Sequence, residues 1–137
     1  RGTHATSAHQ KRVIELLESV GVAVPIEERL MDAVTGLSGC GPAYAFAIIE
    51  GLADGGVAEG LPRDIAITLA AQTLLGASRM VLETGEHPAL LRDRVTSPAG
   101  TTAEGLAALE ARGIRSAMAE AVRQAARRSR SLGEGSK

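Results

Sequence analysis

The sequence has almost no aromatic side chains: 137 residues include one tyrosine, one phenylalanine and no tryptophan. Hydrophobic residues nevertheless make up 45% of the chain. A core must therefore be built mainly from alanine and other small side chains, which gain less free energy on burial than large ones do. Stability then has to come from close backbone approach or from a partner chain. We expect the protein to oligomerise.

Cysteine and net charge are scarce as well. The single cysteine, Cys40, cannot form an internal disulfide, and no cysteine or histidine pair has the spacing of a metal site. The net charge of −1 gives no strong electrostatic field that would attract nucleic acid or an anionic membrane. No uninterrupted apolar run reaches the roughly 18 residues of a membrane span, and no signal-peptide pattern opens the chain. We expect a soluble protein of a reducing compartment, with no metal, nucleic acid or membrane partner.

Helical periodicity dominates the rest of the sequence. The helix predicted over residues 42–58 has almost no polar face, which predicts burial on all sides. A chain of this length can bury such a helix only with the help of a partner. Thr101 and Glu104 form a capping-box pattern at the start of a later helix. The predicted helices cover residues 7–20, 30–37, 42–58, 62–84, 88–94, 101–112 and 114–132.

Residues 21–26 interrupt the helices with a short β-branched run. Its Pro25 has no N–H to donate, so the pattern predicts an edge or terminal strand. A lone strand does not stabilise itself. We expect it to pair outside this chain or to mark the end of an α/β domain.

A glycine-rich segment, Ser38-Gly39-Cys40-Gly41-Pro42, suggests two enzyme motifs and matches neither. A dinucleotide fingerprint needs glycine where Tyr44 stands, and a nucleophile elbow needs glycine where Cys40 stands. What remains is either a plain helix–helix corner or a backbone that a ligand approaches at the start of a helix. The sequence favours neither.

Hydroxyl side chains and backbone amides converge between residues 96 and 102, ahead of a predicted helix. A helix N-terminus carries partial positive charge and attracts carboxylate or phosphate. The simpler alternative is that Ser97, Thr101 and Thr102 only cap the helix. Glu50 and Asp54, in the helix predicted to be buried, are either functional carboxylates or members of an ordinary ion pair.

Several of these segments together resemble the pyrroline-5-carboxylate reductases, the NAD(P)H-dependent family that completes proline synthesis. The order and spacing of the matching segments agree with the family as well. Two positions depart from its usual pattern, Ala99 in place of glycine and Cys40 in place of serine. The matching segments are residues 32–44, 52–63, 70–80, 87–102 and 108–122.

The resemblance implies an all-α fold: an interlocking helical dimerisation domain, like the C-terminal domain of 6-phosphogluconate dehydrogenase, preceded by a residual helix and strand of a Rossmann domain. Residues 1–29 would be the C-terminal end of the nucleotide-binding domain. Residues 30–132 would form the dimerisation and substrate-binding domain, and residues 133–137 a disordered tail. The family's glycine fingerprint is absent from the printed residues. We therefore expect this chain by itself to be inactive.

The resemblance also implies a reaction, hydride transfer from NADP(H) or NAD(H) to the imine carbon of 1-pyrroline-5-carboxylate, which gives L-proline. Thr102 would be the catalytic residue that hydrogen-bonds the ring nitrogen. The residues expected to bind the substrate are Val95, Ser97, Gly100, Thr101 and Thr102. The residues expected to face the nicotinamide are Gly39, Cys40, Gly41 and Pro42.

Family members interlock these helices between two protomers, and some assemble the dimers further. The resemblance therefore implies a homodimer or larger homo-oligomer in the cytoplasm, or in the mitochondrion of a eukaryote. The main alternative is a non-catalytic helical dimerisation fragment that binds no ligand. An unrelated helical protein that binds phosphate at a helix N-terminus is a third possibility.

Overall fold

The computed structural model describes residues 2–134, and all regular structure in that range is helical. The all-α fold class is therefore confirmed. A 3₁₀ turn (Glu28–Leu30) precedes the second α-helix, and a π-helical turn (Thr35–Gly39) follows it. The α-helices are α1 (Ser7–Glu18), α2 (Met31–Val34), α3 (Gly41–Ala58), α4 (Arg63–Thr84), α5 (Pro88–Arg94), α6 (Thr101–Ala111) and α7 (Ile114–Glu134).

The strand predicted over residues 21–26 is not formed. Residues 22–27 have no regular structure, and Val22 and Val24 are 82% and 66% exposed. A strand is held by hydrogen bonds to a neighbouring strand, and residues 2–134 contain no second strand to supply them. Helix α1, which precedes this segment, begins at a capping box formed by Thr6 and His9, and none of its residues is buried.

The chain divides into two compact units: one runs to Gly39 and resumes from Val122, and the other comprises Cys40–Ala121. In the first unit, the π-helical turn packs against the second part of α7. Gly36 is buried there, with the Val122 carbonyl and the Ala126 amide beside it. Ser129 donates a hydrogen bond of 2.6 Å to the Asp32 carboxylate. The absence of a side chain at Gly36 thus permits the backbones to approach closely.

The second unit is organised around the antiparallel pair of α3 and α4. Its buried side chains include Ala53, Ala66 and Ala70, which are 1%, 3% and 7% exposed. A Cβ at Gly56 would lie only 3.2 Å from Leu61 and 3.4 Å from Ala66. Small residues on both helices therefore set the separation, as expected for a sequence with so few large core side chains.

Many large apolar side chains remain outside this small core. Phe46 is 68% exposed, Leu75 61% and Leu82 76%. The helix predicted to be buried on all sides is thus buried on one side only within this chain. A single α3–α4 contact cannot cover both faces of either helix.

Helix α4 contains no uninterrupted apolar run of 18 residues, but its average composition is apolar. By the criterion of length and composition, Arg63–Thr84 could cross a membrane, and it alone could do so among the described helices. A helix at a subunit interface meets the same criterion, and α4 already packs on α3 along one side.

The helix ends follow the glycines as predicted. Gly85 and Gly113 adopt φ values of 65° and 67° after α4 and α6, the left-handed conformation that glycine adopts most readily. Helix α5 has the predicted bounds. Gly133 and Glu134 belong to α7 rather than to the predicted disordered tail, and residues 135–137 lie outside the described range.

Replacing Gly36 with alanine tests the close contact in the first unit. The new Cβ would lie 2.6 Å from the Val122 carbonyl oxygen and 2.9 Å from the Ala126 amide nitrogen. Because backbone atoms cannot rotate away, we expect the free energy of unfolding to fall by about 2 kcal/mol in urea titrations. Gly39→Ala is the matched control, since its Cβ would meet only Thr35, at 3.8 Å. Equal effects of the two substitutions would contradict this packing.

Candidate functional site

In the segment between α5 and α6, Thr96 is hydrogen-bonded to the end of α5. The Thr96 hydroxyl donates to the Arg92 carbonyl at 2.7 Å, and its amide donates to the Asp93 carbonyl at 3.2 Å. Thr96 is half-buried, while Val95 beside it is 64% exposed. The segment is therefore attached to the last turn of α5 and leaves the Val95 side chain open to a ligand.

A tight turn follows, closed by a 3.0 Å hydrogen bond from the Gly100 amide to the Ser97 carbonyl. Pro98 takes its second position, and Ala99 takes its third with φ of 54°. Proline followed by a residue of positive φ is the type II pattern, which favours glycine at the third position. Ala99 therefore keeps the positive φ that suits the family's usual glycine.

Gly100 keeps the Ser97 hydroxyl in its place. A Cβ at Gly100 would collide with Ser97 Oγ and lie 3.1 Å from the Ser97 carbonyl oxygen. Gly100 is one of the residues expected to bind the substrate, but its amide is already bonded inside the turn. The role of Gly100 is instead to let the chain pass close to Ser97.

The predicted capping box at Thr101 and Glu104 is not formed. Gly100 is the N-cap residue of α6, and no side chain caps this helix. The Ala103 and Glu104 amides bond the Gly100 carbonyl, whereas the Thr101 and Thr102 amides precede the first intrahelical bonds. Within residues 2–134, the hydroxyls of Ser97, Thr101 and Thr102 make no hydrogen bond. Capping therefore does not account for these three hydroxyls.

The glycine-rich segment is helical rather than an open turn. Gly39 ends the π-helical turn of the first unit, and Cys40 is the N-cap residue of α3 in the second, with Pro42 in the first turn as predicted. A Cβ at Gly41 would meet nothing within 4 Å. Internal packing therefore does not require glycine at this position.

Tyr44 lies one turn into α3, and its hydroxyl points to the Ala121 carbonyl at 3.4 Å. Partial burial, and then the neighbouring Cys40 thiol, raise the pKa of Tyr44 above its ordinary value. The shift favours the protonated phenol, which acts as a donor to the Ala121 carbonyl. Cys40 packs beside this donor at the start of the helix.

Two further polar side chains, Asp54 and His87, have structural partners. Asp54 pairs with Arg63 across the α3–α4 loop, both side chains being more than half exposed, which is the ordinary ion pair considered above. The His87 Nδ1 accepts from the Ala89 amide at 3.2 Å and caps α5. Among residues 2–134, no group of three or more acidic, histidine or cysteine side chains is arranged to hold a metal ion.

Sequence reasoning missed one feature next to the site, the ion pair between Glu86 and Arg94. Its oxygen–nitrogen distances are 2.9 Å and 2.6 Å. The two residues stand eight positions apart, so the usual spacing of three or four for helical ion pairs could not reveal it. Only the fold of the chain before α5 brings them together.

Apolar helices left uncovered and a helix start with unpaired backbone amides are the features of a helical subunit-assembly domain. The comparisons with known proteins give the family. Residues 28–132 match the family described as pyrroline-5-carboxylate reductase dimerisation, and the chain belongs to it. The resemblance inferred from the sequence is confirmed.

The curated relatives include pyrroline-5-carboxylate reductases of Methanosarcina acetivorans, 56% identical over 133 residues, and Arabidopsis thaliana, 53% identical over 133 residues. Each alignment covers 97% of this chain but 49% and 48% of the relative. The chain thus spans about half the length of the curated relatives it matches.

Solved structures give the same result. A pyrroline-5-carboxylate reductase from Coxiella burnetii matches with a TM-score of 0.90 at 33% identity, over 96% of this chain and 49% of that one. The Plasmodium falciparum pyrroline carboxylate reductase with NADP bound matches with a TM-score of 0.87 at 36% identity, over 96% and 50%.

Replacing Ala99 with glycine tests the turn. A non-glycine residue in the left-handed region is strained by about 1 kcal/mol, so we expect Ala99→Gly to raise the free energy of unfolding by roughly that amount in urea titrations. Ala107→Gly, within α6, is the matched control and should lower it by about 1 kcal/mol. A decrease with both variants would contradict the turn conformation described above.

Proposed function

We propose that this chain is the assembly and substrate-binding part of a pyrroline-5-carboxylate reductase, which reduces 1-pyrroline-5-carboxylate to L-proline. The observation that carries the proposal is the start of α6. There two amides and three hydroxyls remain without partners in residues 2–134, on a chain of this family. The family membership supports the reaction, and the free donors support the place of the substrate.

The substrate carboxylate would bind at the N-terminus of α6. The amides of Thr101 and Thr102 and the Ser97 hydroxyl offer hydrogen bonds, and the helix dipole adds partial positive charge. A carboxylate bound at a helix N-terminus needs no arginine partner. Val95, exposed at the edge of the segment, offers an apolar contact to the methylene groups of the ring.

Thr102 would serve the ring nitrogen. Reduction adds a hydride to the imine carbon, the π electrons of the C=N bond move to nitrogen, and nitrogen holds one more proton in L-proline. A hydroxyl at hydrogen-bonding distance can orient the nitrogen and exchange its proton with solvent. No stronger acid is needed, because the imine nitrogen is itself basic and the chain mainly positions it.

The cofactor fits the start of α3 in one respect. Gly41 leaves the backbone open on the side where a Cβ would stand, and a Cβ at Gly39 would meet only Thr35, at 3.8 Å, so Gly39, Cys40, Gly41 and Pro42 could contact the nicotinamide end of NADP or NAD. When bound, the nicotinamide supplies the hydride. The rest of the dinucleotide would be held by a nucleotide-binding domain outside these residues, so residues 1–137 alone should not reduce the substrate.

Mixing this chain with a separately expressed nucleotide-binding domain of the family, or joining the two, tests the function through NAD(P)H absorbance. We expect activity only when both parts are present. Thr102→Val keeps the side-chain shape without the hydroxyl and should lower kcat about 100-fold, whereas Thr102→Ser should retain most of it. Parts that associate without activity would favour the non-catalytic dimerisation fragment. Activity unaffected by Thr102→Val would remove Thr102 from the mechanism.

We also propose that two copies of the chain cover each other's apolar helices, giving a homodimer or a larger homo-oligomer in the cytoplasm or, in a eukaryote, the mitochondrion. The exposed side chains of α3 and α4 support this, since water-exposed apolar area on this scale marks an interface. The same argument assigns α4 to a subunit interface rather than to a membrane. A net charge of −1 gives no reason to propose a nucleic-acid partner.

The mass in solution tests the assembly. At micromolar concentration, we expect sedimentation of the 14.1 kDa chain as a dimer or larger species. Phe46→Glu should shift it toward monomer, because a charge would be buried at the interface. Val20→Glu is the matched control, at an apolar residue that is 85% exposed and outside residues 28–132. A folded wild-type monomer would contradict the proposal.

A further inference from the structure

The orientation of α5 determines where the substrate segment starts. This helix has seven residues, of which only Leu91 is buried. Helices this short are not stable by themselves, so contacts at the two ends must hold α5 in place. Val95, its C-cap residue, is also the first residue of the candidate site.

Glu86 and Arg94 hold both ends at once. Glu86 precedes the N-cap residue His87, and Arg94 is the last residue of the helix. The two side chains form a two-pronged ion pair, with Oε1–Nη1 at 2.9 Å and Oε2–Nη2 at 2.6 Å. Such paired geometry fixes direction as well as distance. The acid stands at the N-terminal end and the base at the C-terminal end, which also suits the helix dipole.

The pair is connected to the preceding helix and to the site. On one side, the Glu86 amide donates to the Thr84 hydroxyl at 3.2 Å, and that hydroxyl donates to the Met80 carbonyl of α4 at 2.8 Å. On the other side, Arg94 and Val95 are adjacent, and Thr96 bonds back to Arg92. A continuous path of bonds thus runs from α4 to the substrate segment.

From this path we infer that Glu86 and Arg94 are positioning residues for the substrate. The inference rests on the proposed function: the pair aims the segment that carries Ser97 and the start of α6 at the substrate carboxylate. Arg94 is 62% exposed and Glu86 30%. An ion pair this exposed contributes little to global stability, so its effect should appear in substrate binding and not in unfolding.

The test uses the reductase reconstituted from this chain and the nucleotide-binding domain. Glu86→Gln should raise KM for 1-pyrroline-5-carboxylate about fivefold, with kcat, KM for NAD(P)H and the melting temperature nearly unchanged. Arg94→Gln should do the same, and the double variant should be no worse than either single one, because both substitutions break one interaction. Glu83→Gln, which breaks the similar Arg79 pair within α4, is the matched control.

Ser97→Ala separates this inference from the proposed function. If Ser97→Ala raises KM and Glu86→Gln does not, the positioning role is overturned while the substrate site stands. If neither variant changes KM, the site at α6 is itself wrong and the inference fails with it. Additive effects of Glu86→Gln and Arg94→Gln, or an equal effect of Glu83→Gln, would also overturn the positioning role.

Discussion

The close contact of α3 with α4 through alanine and glycine is the constraint on which the second unit depends. Ala53, Ala66 and Ala70 are its buried residues on these helices, and Gly56 lets the chain close around Leu61. Such a core brings helices together without using their large side chains. Those side chains remain on the surface of the single chain, where their exposure to water is unfavourable. The small-residue core and the uncovered apolar surface thus have the same cause, because the helices pack through their small side chains.

Small residues also shape the candidate site, within the single turn that precedes α6. Ala99 adopts a positive φ, and Gly100 passes where a Cβ would strike Ser97. Together they turn the chain so that α6 starts without a side-chain cap. Capping would occupy the donors that a carboxylate needs. The cost of the strained alanine and the missing cap is local, and donors ready for a ligand are the result.

The sequence allowed most of the helices to be predicted, because glycine, proline and apolar periodicity mark their ends. It misled where the outcome depended on a partner. Within residues 2–134 the β-branched run before Glu27 is not a strand, since no other strand pairs with it, and α3 is buried on one side only, since burial of its other faces is predicted to need a second copy of the chain. Thr101 and Glu104 match a capping box in spacing, yet Gly100 takes the cap position. The Glu86–Arg94 pair could not be read from the sequence, because the fold alone brings its members together.

The proposed function depends on binding of the substrate carboxylate at the start of α6. Backbone amide shifts of the reconstituted reductase during an L-proline titration test it most directly. We expect saturable shifts at the Thr101 and Thr102 amides, with a smaller change at Gly100, whose amide is bonded to the Ser97 carbonyl. Saturable shifts confined to other parts of the chain, or none at Thr101 and Thr102 in an active enzyme, would contradict the account.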